Sequence, residues 1–257
     1  MLDRVNGVFS GGSGELRSLP PIRPVRATGL RINRANRTLL DIGEFVLEGR
    51  GLTAIIGPNG AGKSLLLKVV AGLMRPDAGD VTWAGQAPTR KGYHRLGMML
   101  QGAVLMRRSV RANIEYPLRA AGVSKLETAA RVDRLLKLGG LQALSQSSAR
   151  VLSGGERQRL SLVRTLATEP EVLLLDEPTA SLDPASTLLI ERMVAEVRDA
   201  GVRVVLITHD IAQARRLADD VILMHRGSII EHKPARQFFE QPSTPEARAF
   251  VAGELLI

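Results

Sequence analysis

The sequence predicts an α/β fold, with a mainly parallel β-sheet core, an antiparallel β edge and an inserted helical subdomain. Two runs of leucine and β-branched residues, 172–175 and 202–207 (the second interrupted only by Arg203), have the pattern of strands buried on both faces of a parallel sheet. An amphipathic helix spans 186–200 between them, giving strand-helix-strand alternation. Residues 107–150, in contrast, read as helix only. Apolar residues recur there at three- and four-residue spacing over 112–121, ending at Gly122, and over 126–138, ending at Gly139 and Gly140.

The remaining elements follow in chain order. Residues 9–26 read as a linker, because Ser10 to Gly14 is glycine-rich and Pro20, Pro21 and Pro24 block regular structure. The basic extension 1–26 is therefore expected to be flexible, and one domain to occupy 27–257, with the helical subdomain inserted at about 102–151. Leu30 and Ile32 alternate with arginines, and 39–47 and 52–56 are strand-like. A glycine-rich turn, 57–62, leads into a helix from Lys63 to about Leu73, closed by Arg75 and Pro76. An extended pattern resumes over 80–83.

Composition bounds the function. At 257 residues and 44% hydrophobic, the chain can bury a substantial core. With no cysteine, disulfides, thiolate-ligated metals and thiol catalysis are excluded, and a reducing compartment fits. Apolar runs such as Leu65–Leu67 are cut by Lys68, far short of the roughly 18 residues a membrane span requires. The first 30 residues lack the apolar core of a secretory signal. A soluble protein, at most peripheral to a membrane, is expected. Of the net charge of +9, seven arginines against Asp3 and Glu15 place +5 within the first 37 residues. The other 220 residues carry +4, ordinary for a globular surface. Eight scattered aromatics make no base-stacking platform, so no nucleic-acid partner is expected.

The chemistry is concentrated in a few motifs. Gly57, Pro58, Asn59, Gly60, Ala61, Gly62, Lys63 and Ser64 form a complete Gx4GK[ST] phosphate-binding loop between a strand and a helix. Its glycines let several backbone N–H groups face one anion, and the helix N-terminus adds a favourable dipole. Lys63 would neutralise the β- and γ-phosphates of ATP, and the Ser64 hydroxyl would ligate Mg²⁺. The apolar run 172–175 ends in Asp176, which would hold Mg²⁺ through water, and Glu177, which would polarise the attacking water. Leu152, Ser153, Gly154, Gly155 and Glu156 open a further helix, a second anion-binding N-terminus that the first loop does not need. Ser153 and the Gly154 and Gly155 amides would face the γ-phosphate held by another subunit.

These motifs, in this order, resemble those of the ATP-binding-cassette (ABC) transporter ATPases, which implies a RecA-like phosphate-loop NTPase core. The resemblance covers about 27–230. It implies that Gln101, after the apolar 96–100, is the glutamine linking the Mg²⁺ site to a membrane partner. It further implies that Ser181, Leu182 and Asp183 form the loop at the dimer interface, and that His209 contacts the γ-phosphate. Two positions depart from the family pattern. No aromatic ring for adenine occurs among Asn33, Arg34, Ala35 and Asn36, leaving Arg34 and Arg37 as the planar groups able to stack on a base. Leu65 follows Ser64 where threonine is commoner.

One cassette without a membrane span implies a homodimer of ATPase subunits working with separate permease subunits at the cytoplasmic face of the inner membrane. The stretch from Gln101 through Val110, Asn113, Ile114 and Tyr116 to Leu118 resembles ATPases of oxyanion and amino-acid importers, with tungstate-type importers nearest. That resemblance implies a separate extracytoplasmic substrate-binding protein. The apolar entry Gly102–Met106 would suit a docking cleft for a permease helix. Alternatives are the ATPase of an exporter or cell-division complex, or a non-transport ABC ATPase acting on nucleic acid or ribosomes.

Overall fold

The computed structural model describes residues 19–35, 37–102, 104–254 and 256. Most of the basic extension, residues 1–18, lies outside the described residues, as does Ala103. The chain forms two compact units. Among the described residues, one comprises 89–173 and 178–202 together with 19–21; the other comprises 22–88, 174–177 and 203–256.

The second unit carries two sheets. Strands β1 (Val25–Arg34) and β2 (Arg37–Leu47) form an antiparallel hairpin, and β4 (Ala78–Trp83) pairs with the other edge of β1. Alternation sets the faces: Val25, Ala27, Leu30 and Ile32 are buried, while Arg26 and Arg31 face solvent and pair with Glu44 and Asp41. The expected antiparallel edge is thus a three-stranded sheet. Strand β3 (Gly51–Ile56) runs parallel to β7 (Arg203–Ile207) and β8 (Asp220–His225), and β9 (Ser228–Pro234) pairs antiparallel with β8.

With β5 (Leu96–Met99) and β6 (Val172–Asp176), the strand order is β5-β6-β7-β3-β8-β9. The chain passes between the units inside β6, after Leu173. Every residue of β6 and β7 is buried, including Asp176 at the end of β6 and Arg203 at the start of β7, matching the apolar runs between. Asp219 and Asp220 fix the base of the sheet. Asp219 Oδ2 accepts from the Leu52 amide at 2.7 Å, and Asp220 Oδ2 accepts from the Thr53 hydroxyl at 2.9 Å.

Helix α1 (Lys63–Val70) follows the glycine-rich turn. It ends three residues before the expected Leu73, because the Leu73 and Met74 amides turn back onto the Lys68 carbonyl (2.9 and 3.2 Å). The Trp83 indole N–H donates to the Val70 carbonyl at 3.1 Å and anchors that end to β4.

In the first unit, α2 (Val110–Ala120) and α3 (Lys125–Gly139) begin at serine caps, Ser109 and Ser124, whose hydroxyls accept amides three residues on. They pack with α4 (Gly154–Leu166). Fully buried Arg131 of α3 is compensated by Glu127 at 2.8 Å and Glu169 at 3.0 Å. Helix α5 (Pro184–Asp199) completes this unit's long helices. Helices α6 (Ile211–Leu217), α7 (Ala235–Glu240) and α8 (Pro245–Val251) belong to the second unit. Among the described residues, no helix is long and apolar enough to cross a membrane.

Candidate functional site

The phosphate-loop residues lie in the second unit, where the ends of β3, β6 and β7 converge. The Thr208 amide donates to the Ile55 carbonyl (3.3 Å) and the Glu177 amide to the Ile207 carbonyl (3.1 Å), so the three strand ends are tied by main chain. The loop of Gly57–Gly62 leaves β3 with Gly57 at φ 141°, pressed against β8. A Cβ at Gly57 would lie 2.1 Å from the Met224 carbonyl oxygen, so no side chain fits there. The turn after β8 holds the loop from behind: the Gly227 amide donates to the Ala61 carbonyl (3.1 Å), and the Gly227 carbonyl accepts from Asp41 (2.8 Å). Pro58, Asn59 and Gly60 complete the outer part of the loop, with Asn59 and Gly60 exposed.

Lys63, the first residue of α1, is 6% exposed and folds back on its own loop. Its ammonium donates to the carbonyls of Gly57 (2.7 Å) and Pro58 (2.9 Å). Burial lowers its pKa, and the carboxylates of Glu177 and Asp176 oppose that. The Ser64 hydroxyl donates to Asp176 Oδ1 at 3.0 Å. Burial raises the Asp176 pKa against the Ser64 hydrogen bond, and neighbouring Glu177 adds to the rise. A cation beside this carboxylate would therefore meet an unmet electrostatic demand. Among the described residues, no group of three or more His, Asp or Glu could hold a metal without help. One hydroxyl and one carboxylate, both hard oxygen donors, suit Mg²⁺ taking its other ligands from phosphate and water.

Glu177 follows directly. Its backbone is left-handed (φ 49°), uncommon for a side chain with Cβ and typical of functional positions held by their surroundings. His209, just after β7, is 64% exposed in its side chain, with Nδ1 3.5 Å from Glu177 Oε2. Lys63, Ser64, Asp176, Glu177 and His209 are thus gathered in one unit.

The other expected site residues belong to the first unit. Gln101 is exposed just beyond β5. Ser153 is the N-cap of α4 in a reciprocal capping box with Glu156: its hydroxyl accepts from the Glu156 amide (3.3 Å), and its own amide donates to Glu156 Oε2 (2.7 Å). Gly154 is exposed and Gly155 buried. Asp183 caps α5, accepting from the Ser186 amide (2.9 Å) and hydroxyl (2.6 Å), bonds that lower its pKa. The two helix starts touch. A Cβ at Gly155 would meet Ser186 Oγ at 2.3 Å, so glycine is required by contact with a residue that carries no motif.

Arg34 does not offer a free plane to a base. Its guanidinium pairs with Asp77 at 3.3 Å and donates to the Asn33 carbonyl at 2.7 Å. Asn36 lies outside the described residues. Of the apolar entry expected at 102–106, Met106 lines a groove of about 390 Å³ in the first unit, together with Tyr116, Met98 and Arg164 among others. Val104 is 82% exposed.

The ABC transporter family profile matches residues 41–180, more than half of the chain. The chain belongs to the ABC transporter family. What it carries of that family is the ATPase domain. The methionine import ATP-binding protein MetN of Bordetella pertussis is 41% identical over 207 residues, covering 77% of this chain and 57% of MetN. The chain thus spans little more than half the length of that relative. The tungstate uptake system ATP-binding protein TupC of Peptoclostridium acidaminophilum is 38% identical over 80% of this chain and 97% of TupC. The phosphate import ATP-binding protein PstB 2 of Natronomonas pharaonis is 39% identical over 80% and 79%. Among solved ABC structures, cbiO1 of Clostridium perfringens, part of the cbiONQ transporter complex, superposes with a TM-score of 0.76 at 28% identity, over 84% of this chain and 90% of cbiO1.

Sequence reasoning missed the parts of this ABC domain that support the motifs: Met224 and Gly227 behind the phosphate loop, and Ser186 against Gly155. Gly227 after the β8 pattern was the one local signal available; Ser186 gave none.

Proposed function

We propose that this chain is the ATP-hydrolysing subunit of an ABC importer, with Mg²⁺-ATP as its fuel. The observation that carries hydrolysis is the gathering of Ser64, Asp176, Glu177 and His209 around one phosphate loop within a single unit. In this reading the amides of Gly57–Ser64 and the Lys63 ammonium cradle the phosphates. Mg²⁺ would be held by Ser64 and, through water, by Asp176, with Gln101 completing its surroundings, and would neutralise charge on the β- and γ-phosphates. Glu177 orients and polarises the attacking water. His209, within reach of Glu177, holds the γ-phosphate side of that water. Ser153, Gly154, Gly155 and Asp183 complete the site of a second copy, so the working form is a dimer.

Import, through separate permease subunits at the cytoplasmic face of the membrane, is supported by relatives named for import of methionine, tungstate and phosphate. A separate extracytoplasmic binding protein would deliver the cargo. The cargo we propose is a small oxyanion such as tungstate. The groove beside Met106 and Tyr116 is where a permease segment would dock.

Glu177→Gln tests the central assignment. Mg²⁺-ATP should bind as before while hydrolysis falls by roughly 10²- to 10⁴-fold, the range a positioned general base supplies. Near-normal turnover would sink the assignment. Tungstate uptake by vesicles holding the complex with its permease checks the cargo.

A further inference from the structure

A cavity of about 510 Å³ opens in the second unit, lined by the β8–β9 hairpin and α8. The hairpin contributes His225, Arg226, Ser228 and Ile230, α8 contributes Glu246, and Leu256 borders it. None of its lining residues belongs to the motifs of the candidate site. Arg226 is exposed, and His225 and Glu246 are half-buried. Among the described residues, Arg226 and Glu246 pair neither with each other nor with another side chain.

The lining sets what can fill this space. A simple anion would face the Glu246 carboxylate, a simple cation would face the Arg226 guanidinium, and a purely apolar molecule would strip water from both. A small molecule bearing both charges and an apolar side chain meets every group of the lining. The dimensions are those of a small-molecule site, with a few converging polar groups beside apolar ones.

The same hairpin holds the phosphate loop. The Met224 carbonyl, next to His225, leaves no space for a side chain at Gly57, and the Gly227 amide, next to Arg226, donates to the Ala61 carbonyl at 3.1 Å. Arg226 (φ 48°) and Gly227 (φ 83°) form the two-residue left-handed turn that joins the strands.

We infer that this cavity is a regulatory site for a free α-amino acid with a medium-sized apolar side chain. Arg226, with His225 and Ser228, takes its carboxylate, Glu246 its ammonium, and Ile230 and Leu256 its side chain. An occupied site ties the hairpin turn to α8 and so steadies the phosphate loop. The amino acid and the nucleotide therefore favour each other's binding, by the same factor in both directions.

The test titrates the full chain with L-leucine, with L-leucinamide, which lacks the carboxylate, and with 4-methylpentanoate, which lacks the ammonium. Leucine should bind, and each of the other two roughly tenfold more weakly, as expected when a hydrogen bond to a charged group is lost. Saturating leucine should tighten binding of a labelled ATP analogue about fivefold, the low end of coupling between sites. Arg226→Gln should erase the preference for leucine over leucinamide, and Glu246→Gln the preference over 4-methylpentanoate. Without leucine, both variants should bind the analogue as the unaltered chain does. No binding of leucine, or equal binding of either single-charge compound, overturns the site. Leucine binding without a change in analogue affinity overturns the coupling. The three compounds on the unaltered chain decide the matter even if a variant fails to fold.

Discussion

Ser186 leaves no room for a side chain at position 155, and the two residues belong to the starts of different helices. Gly155→Ala sets a gain in helix propensity of about 1 kcal/mol against a Cβ only 2.3 Å from the Ser186 hydroxyl oxygen and 2.9 Å from its Cβ. Overpacking should win, lowering stability by about 1–3 kcal/mol. Ser186→Gly in the same chain should recover most of it, a coupling that a double-mutant cycle by denaturant unfolding would measure; additive effects would contradict the contact. The nucleotide base poses a different question at this scale. With no ring at Asn33, Arg34 or Ala35 and Arg34 engaged by Asp77, triphosphate contacts are expected to dominate affinity. GTP and CTP should displace a labelled ATP analogue within roughly tenfold of ATP, or 1.4 kcal/mol. A hundredfold preference for ATP would reveal a base-reading contact elsewhere. The residues of the phosphate loop and the acidic pair at the end of β6 were legible because each motif is contiguous. The Arg34–Asp77 pair was not, because it joins positions 43 residues apart in sequence.

Elements are joined by polar clamps that no periodicity reveals. Glu231 in β9 is 7% exposed, and its carboxylate accepts from the Ser243 amide (2.9 Å) and from the Thr244 amide and hydroxyl (both 2.8 Å), just before α8. Burial alone would raise its pKa. These hydrogen bonds, with Lys233 beside them at 3.2 Å, instead bring it down to about 2. A carboxylate held below its usual 4.5 stabilises the fold fully above that value, and the contribution disappears as pH falls toward about 2. The unaltered chain should therefore lose stability across that window. Glu231→Ala should be less stable at neutral pH and show a shallower decline with acid, read from melting temperatures at stepped pH. An unchanged slope would mean the clamp does not hold α8. The strands themselves were legible, since β6 and β7 are buried runs and β1 alternates. The exact end of α1 was not, because the turn back to Lys68 depends on main-chain geometry beyond the helical pattern.

For the whole molecule, the proposed division of labour between two copies is the claim most open to test. Ser153→Arg should leave nucleotide binding intact yet abolish hydrolysis, because the bulky cation would sit at the helix start offered to the other chain. Mixing it with Lys63→Ala chains should restore at most one working site per dimer. Specific activity that stays constant on dilution to clearly monomeric samples would count against a shared site. Such sharing is where sequence reasoning depends on family likeness rather than on residue pattern, since nothing local in Ser153 or Asp183 distinguishes a helix cap from a contact offered to a partner. The position of Lys63 has a different implication for the loop itself. Its ammonium donates to the carbonyls of Gly57 and Pro58 in the same loop. The lysine therefore braces from inside the turn it belongs to, so that Lys63→Ala removes a support of the loop along with a charge.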